Sequence, residues 1–273
     1  MDTIFNYGNP KVFFILGAMD PEMKAIEEIL QSSRSKWIGI KFAYACVGDR
    51  QVFSGNAYKA DSTSEPIPEG SNVVTVECSV AGITPYKKCD HHHPGDFGYG
   101  RGPEQFWEAS SIGQVCDFLG LKPTEEFLLV AASDHCPAHA YKGKCPGVDP
   151  DALMKHRLLI KSAFQKRSLE EIMADVTSTM SLIQKKLDAG DAVPHFPLEE
   201  KAAELPEASL RVGVPITYEL EGNERYPRVK VGMLNGTPEL LREWMIVTAP
   251  AMGLVDIYGD PERGYAGGYI PSV

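Results

Sequence analysis

Residues 11–17, KVFFILG, are a short apolar run that ends in glycine, and the next stretch switches period. In MDPEMKAIEEILQ, Met23, Ile26, Ile29 and Leu30 fall on one helical face. Asp20-Pro21 suits the start of that helix, because Asp caps a first turn and Pro tolerates its missing N–H there. The pattern predicts a strand, a loop and a helix. IGIKFAYACVG then reads as a second strand, SNVVTVECSV as a third, and a short strand is expected around Tyr86–Cys89. PEQFWEASSIGQVCDFLGL reads as a helix with a cap region at Ser110-Ser111, and EEFLLVAASDHCPAHA as a short helix or strand ending in Asp134-His135.

Residues 151–190 change character: they are helical in pattern almost throughout, with no internal proline and no glycine before the last position. VPHFPLEEKAAELPEA, with three prolines and many charges, reads as a linker. LRVGVPITYEL and YPRVKVGML read as two further strands, a helix is expected near Pro238–Met245, and a glycine-rich end follows. Alternating strands and helices imply an α/β fold with a mostly parallel N-terminal sheet. The expected division is an N-terminal domain over 1–148, a helical connector and linker over 149–205, and a smaller α/β domain over 206–273. In parallel sheets ligands sit beyond the carboxyl ends of the strands. The polar residues after each apolar run are therefore the candidates: Asp20 and Glu22, Glu77, Asp90 to His93, and Asp134 with His135.

Composition narrows the picture further. The chain has 273 residues and a formal net charge of -10, which argues against a tight grip on long nucleic acid. It leaves room for a small phosphorylated substrate if a cation offsets the charge locally. The run VFFILGAM is too short to span a bilayer and lacks a basic n-region, so neither a signal peptide nor a membrane partner is expected. Six scattered cysteines without a C-x-x-C pair are expected as reduced thiols in a cytoplasmic protein, most of them buried. A homodimer is left open.

The candidate chemistry concentrates in KKCDHHHPGDFGYG, residues 87–100, where Asp90, His91, His92, His93 and Asp96 crowd together. Five of the seven histidines lie between His91 and His139. A polar turn would account for the triplet alone, and Asp20-Pro21-Glu22 alone would serve as a helix start. Arg101, in the glycine-rich stretch GDFGYGRGPEQFW, could clamp a phosphate or simply belong to a flexible excursion.

The ordered set of Asp90-His91-His92, EASSIGQVCDFLG, LLVAASDHC and VVTVECS resembles the DHH phosphoesterase superfamily over residues 11 to about 140. The C-terminal segment resembles that superfamily's DHHA1 domain loosely: YGDPERGYAGG has the glycines, with Asp260 where a histidine is expected. The resemblance implies a DHH-like domain with a metal centre in a cleft between domains, holding Mn²⁺ or Mg²⁺ as one or two ions, or none. Its candidate ligands are Asp20, Glu22, Glu77, Asp90, His91 and Asp134. Glu77 would bridge, His91 and Asp134 would hold one ion, and His92 would face the phosphate. Such ions activate water and neutralise phosphoryl charge.

The first motif departs from the family's order of His, three residues, Asp, one residue, Asp. One register puts Ala18 at the histidine and Glu22 and Lys24 at the carboxylates, with Lys24 then a candidate phosphate contact. The other puts Leu16 at the histidine and Asp20 and Glu22 at the carboxylates. Either way the histidine is missing. The leading expectation is a phosphoesterase acting on a nucleotide or short oligonucleotide. The alternatives are a degenerate binding protein for a nucleotide or a partner, and a metal-independent enzyme using Lys24, Glu22 and His92.

Overall fold

The computed structural model describes residues 12–33, 40–222 and 227–271. Their contacts divide the chain into two compact units, one of 1–136 with 144–148 and the other of 137–143 with 149–273.

The first unit is built on β1 (Val12–Leu16), whose five residues are all buried. It is central in a sheet with β2 (Ile40–Val47), β3 (Arg50–Gln51), β4 (Ser62–Thr63), β5 (Asn72–Val76) and β6 (Lys87–Cys89), in the order β3-β2-β1-β5-β6 with β4 pairing β2. The pairs β1–β2, β1–β5 and β5–β6 are parallel, whereas β3 and β4 run antiparallel to β2. An all-apolar central strand follows from burial on both faces. Phe13 and Ile15 pack with Ala43, Ala45, Val52 and Val80, while Phe14 meets Phe118 edge to face at 5.8 Å. The helices of this unit are α1 (Pro21–Ser33), α2 (Phe106–Ala109), α3 (Ser111–Phe118) and α4 (Glu125–His135).

Parallel pairing brings three carboxyl ends into line. Leu16 is opposite Val76, and Val76 is opposite Cys89. The next residues of the three strands, Gly17, Glu77 and Asp90, therefore emerge side by side. The stretch expected as one helix over 103–121 is broken instead. Ser110 is extended, and its hydroxyl accepts from Gly113 N at 3.1 Å, which ends α2 and starts α3. Gly113 is needed there, since a Cβ would lie 1.7 Å from Trp107 O. The segment left open between helix and strand is the helix α4.

The second unit holds α5 (Pro137–Tyr141), α6 (Pro150–Gln165), α7 (Leu169–Asp188), β7 (His195–Phe196), α8 (Leu205–Val212), β8 (Ile216–Leu220), β9 (Lys230–Leu234), α9 (Pro238–Glu243), α10 (Ala249–Ala251), β10 (Val255–Asp260) and β11 (Tyr265–Tyr269). Trp244–Thr248 forms a π-helical turn between α9 and α10. The sheet order is β10-β11-β9-β8-β7, antiparallel except for β7 with β8.

Three expectations change here. The helical stretch over 151–190 is two helices, because Lys166 turns left-handed and Ser168 caps α7 through a capping box with Glu171. The expected connector and linker over 149–205 supplies core: Leu158, Ile172, Val176, Ile183, Phe196 and Leu205 pack with Ile216 and Tyr218. The first half of the expected strand LRVGVPITYEL is the end of α8, stopped by Gly213 at φ 80°. Among the described residues, no helix is long and apolar enough to cross a membrane.

Candidate metal centre

Beyond the carboxyl end of β5 the chain does something unusual. Glu77 adopts φ 48°, a left-handed conformation that side chains other than glycine, Asn and Asp seldom take. Beside it, Gly17 is the residue the geometry requires, because a Cβ there would sit 2.4 Å from Glu77 O. Glu77 N bonds to Cys89 O at 3.1 Å, which locks the strand end.

Around Glu77 gather His91, His92 and Asp134. Each offers one ligand atom, and those atoms all lie within 4.8 Å of one another, so the group could hold a metal ion. The Nδ1 atoms of His91 and His92 each lie 3.9 Å from Glu77 Oε1. His91 Nε2 is 2.9 Å from Asp134 Oδ2, yet it makes no hydrogen bond. A short separation without hydrogen-bond alignment suits two ligands of one ion, since donors ~2.1 Å from an ion at right angles lie ~3.0 Å apart. The imidazoles of His91 and His92 stack at 4.3 Å, and Gly98 packs so close to His91 that a Cβ would come within 2.6 Å of its Cβ.

Two more carboxyl groups reach this cluster from α1. Glu22 is 1% exposed; its Oε1 accepts from Ile112 N, in the first turn of α3, at 3.0 Å. Burial, then the charges of Glu77 and Asp134, raise the Glu22 carboxyl well above its ordinary range. Asp20 caps α1, accepting from Met23 N at 2.8 Å, and faces the same cluster. Burial, then the charges of Glu77 and Asp134, push it up to about 7. Glu22 Oε2 and Glu77 Oε1 are buried with no hydrogen-bond partner. Two such oxygens beside four acidic groups need a proton or a cation, and a set of hard carboxylates with imidazoles suits Mn²⁺ or Mg²⁺.

Asp90, expected among the ligands, has a different place. It is fully buried, and its carboxylate accepts from Tyr58 Oη at 3.0 and 3.1 Å, from His91 N at 2.8 Å and from His92 N at 3.1 Å. Its Oδ1 is also 3.2 Å from His92 Nδ1. Burial alone would raise the Asp90 carboxyl, but the hydrogen bonds from His92 and the Lys88 charge hold it well below the carboxylate range. Its oxygens are occupied by Tyr58, the His91 and His92 amides and the His92 ring, the place a partner behind a candidate ligand imidazole would take. His92 in turn joins the ligand group rather than standing outside it. Asp90, His93 and Asp96 also come together, but Lys88 Nζ already sits there, 2.5 Å from Asp96 and 3.4 Å from Asp90.

The expected contacts from Lys24 and Arg101 are not formed at the cluster. Lys24 is exposed, two residues from Glu22 and so ~200° around the helix from it. Arg101 is held in its own loop, its Nε donating to Phe97 O at 2.7 Å and its guanidinium 4.2 Å from the Phe97 ring. Of the two registers of the first motif, the carboxyl groups at the cluster are those of Asp20 and Glu22. Leu16 then stands at the histidine position, fully buried in β1.

Sequence reasoning missed Tyr58, Ser111 and Gln114. Ser111 Oγ lies 3.3 Å from His91 Nδ1. Gln114 accepts from Asp90 N at 3.2 Å and donates to Asp90 O at 3.0 Å, clasping the loop that carries the histidines. Both lie in EASSIGQ, whose serines marked the helix start. Tyr58 had no local signal, being on a separate excursion of the chain. No family model matches the chain, and no curated protein matches it in sequence.

Proposed function

We propose that the chain is a metal-dependent phosphoesterase of the DHH kind, hydrolysing a small phosphorylated substrate such as a nucleotide or short oligonucleotide. The observation that carries this reading is the convergence of Glu77, His91, His92 and Asp134 beside the partnerless buried oxygens of Glu22 and Glu77. Mn²⁺ or Mg²⁺ bound there would lower the pKa of a water and neutralise phosphoryl charge.

The chain's own residues hold and orient. Glu77, His91, His92 and Asp134 would be the ligands, with Asp20 and Glu22 in reserve from α1. Tyr58 and Asp90 fix the ring of His92, and Ser111 does the same for His91. Six scattered buried thiols, all free, support the cytoplasmic placement.

A degenerate binding protein is the second reading, favoured by Leu16 and Ala18 at the positions where the family's first motif has its histidine. Metal content by mass spectrometry, for wild type and His91→Ala, with phosphate-ester turnover in Mn²⁺, separates the two. Metal and turnover lost together with His91 support the enzyme. Metal bound by wild type without turnover favours the binding protein. A wild type that takes up no Mn²⁺ and stays inert sinks the phosphoesterase.

A further inference from the structure

The reading above leaves the cysteines unused, and two of them meet. Cys136 Sγ and Cys145 Sγ are 2.8 Å apart, within an ångström of the ~2.05 Å covalent bond. Both belong to the first unit, while residues 137–143 between them belong to the second. The two thiols therefore touch where the chain leaves the first unit and where it returns. Cys136 follows directly on α4, two residues after Asp134, with its N–H reaching back to Ala132 O. Cys145 is buried, but its neighbours on both sides, 142–144 and 146–147, are exposed. Gly143 and Gly147 flank it at φ 68° and 77°, left-handed backbone that glycine adopts readily.

The thiols also differ in reactivity. Burial pushes Cys78, Cys89 and Cys116 up to about 12, which disfavours the thiolate nucleophile. The hydrogen bond from Cys136 holds Cys145 below its ordinary value.

We propose that Cys136 and Cys145 are a peroxide-sensitive thiol pair that closes reversibly to a disulfide. The Cys145 thiolate attacks one oxygen of a hydroperoxide: an S–O bond forms, the O–O bond breaks, and the other oxygen leaves with a proton as water or an alcohol. The Cys136 sulfur then attacks the sulfenic sulfur of Cys145. The S–S bond forms, the S–O bond breaks, and the second oxygen leaves as water with the proton from Cys136. The two sulfurs surrender two electrons in all and the peroxide takes both. A dithiol reverses the step by exchange. None of this depends on the phosphoesterase reading.

The test is hydrogen peroxide on the full native chain, followed by alkylation in denaturant and peptide mapping. Two of the six cysteines should be lost to alkylation, the map should join Cys136 to Cys145, and dithiothreitol should restore all six. In Cys136→Ser the cross-link should vanish and Cys145 should be captured by dimedone as its sulfenic acid. The proposal is overturned if all six thiols survive peroxide or if the link joins other cysteines. It is equally overturned if Cys145 in Cys136→Ser stays unlabelled while wild type is oxidised elsewhere.

Discussion

Glu207 in the second unit and Glu22 with Glu77 in the first are all buried glutamates, and their surroundings are opposite. Glu207 is fully buried, yet Arg157 grips it through Nε at 2.9 and 3.1 Å and another guanidinium nitrogen at 3.0 Å, and the Tyr141 hydroxyl donates to it. Burial and the Glu207 charge raise the Tyr141 hydroxyl's pKa, as expected for a donor to a carboxylate. Glu22 and Glu77 lie close to each other and to Asp134, with one oxygen of each lacking a hydrogen bond. The second unit buries a charge with its compensation built in. The first unit buries carboxyl groups that the chain itself does not compensate, which makes it the candidate site, whereas Glu207 is compensated in place.

The comparison can be broken most forcibly at Arg157. Arg157→Met should destabilise the protein by ~3–5 kcal/mol by stranding a buried carboxylate, read as a lower urea midpoint. Glu22→Gln should do the reverse. With chelator present it should stabilise the protein by ~1–3 kcal/mol, because the amide removes a buried acidic group beside Glu77 and can donate where Glu22 Oε2 has no hydrogen bond. The same variant should weaken Mn²⁺ binding in calorimetry. A Glu22→Gln protein that is less stable than wild type would place Glu22 with Glu207 as a structural group.

Tyr58→Phe tests the support behind His92. Loss of one hydroxyl should cost ~10–100-fold in Mn²⁺ affinity, with the urea midpoint moving little. A merely structural Tyr58 would show the opposite pattern.

Asp20 gives a pH signature. Its carboxyl ionises near 3.8 when unfolded and about 7 when folded. The unfolded chain therefore loses its proton first, and the stability tied to Asp20 is fully present below about pH 4 and lost as pH rises through 7. Urea midpoints in chelator should fall across that window, and Asp20→Asn should flatten the fall. Smallest of all, Lys24→Ala should leave both stability and Mn²⁺ affinity within ~0.5 kcal/mol, as at an exposed surface position.

Much of this site was legible because its parts follow apolar runs. Glu77, Asp90, His91 and Asp134 were found as polar residues after such runs, and the parallel register then brought the first three together. Asp20 was legible as both helix cap and acidic candidate; it caps α1 and lies near Glu77 and Asp134. Lys24 and Arg101 were drawn in because their charge suited a phosphate, and the structure places Lys24 on an exposed face and Arg101 on its own loop. Helix phase decides where Lys24 points, and a nearby aromatic ring and carbonyl decide where Arg101 rests. The helix breaks at Ser110 and Lys166 were missed because a capped break and a continuous helix share the same apolar period.

Sequence by itself determined the four parallel strands of the first sheet, the order of the candidate ligands along the chain, and the burial of most cysteines. Hydrophobic period and chain order are local properties, so they can be read without the fold. Tertiary structure alone decided which register of the first motif faces Glu77, that the Asp90 carboxylate turns to Tyr58 and His92, and that residues 149–205 are core. It also placed Tyr58, 32 residues from Asp90, on that carboxylate, and Cys145 against Cys136. Each of these depends on which side chains meet across the chain, a pairing that packing and charge compensation set and that no local pattern records.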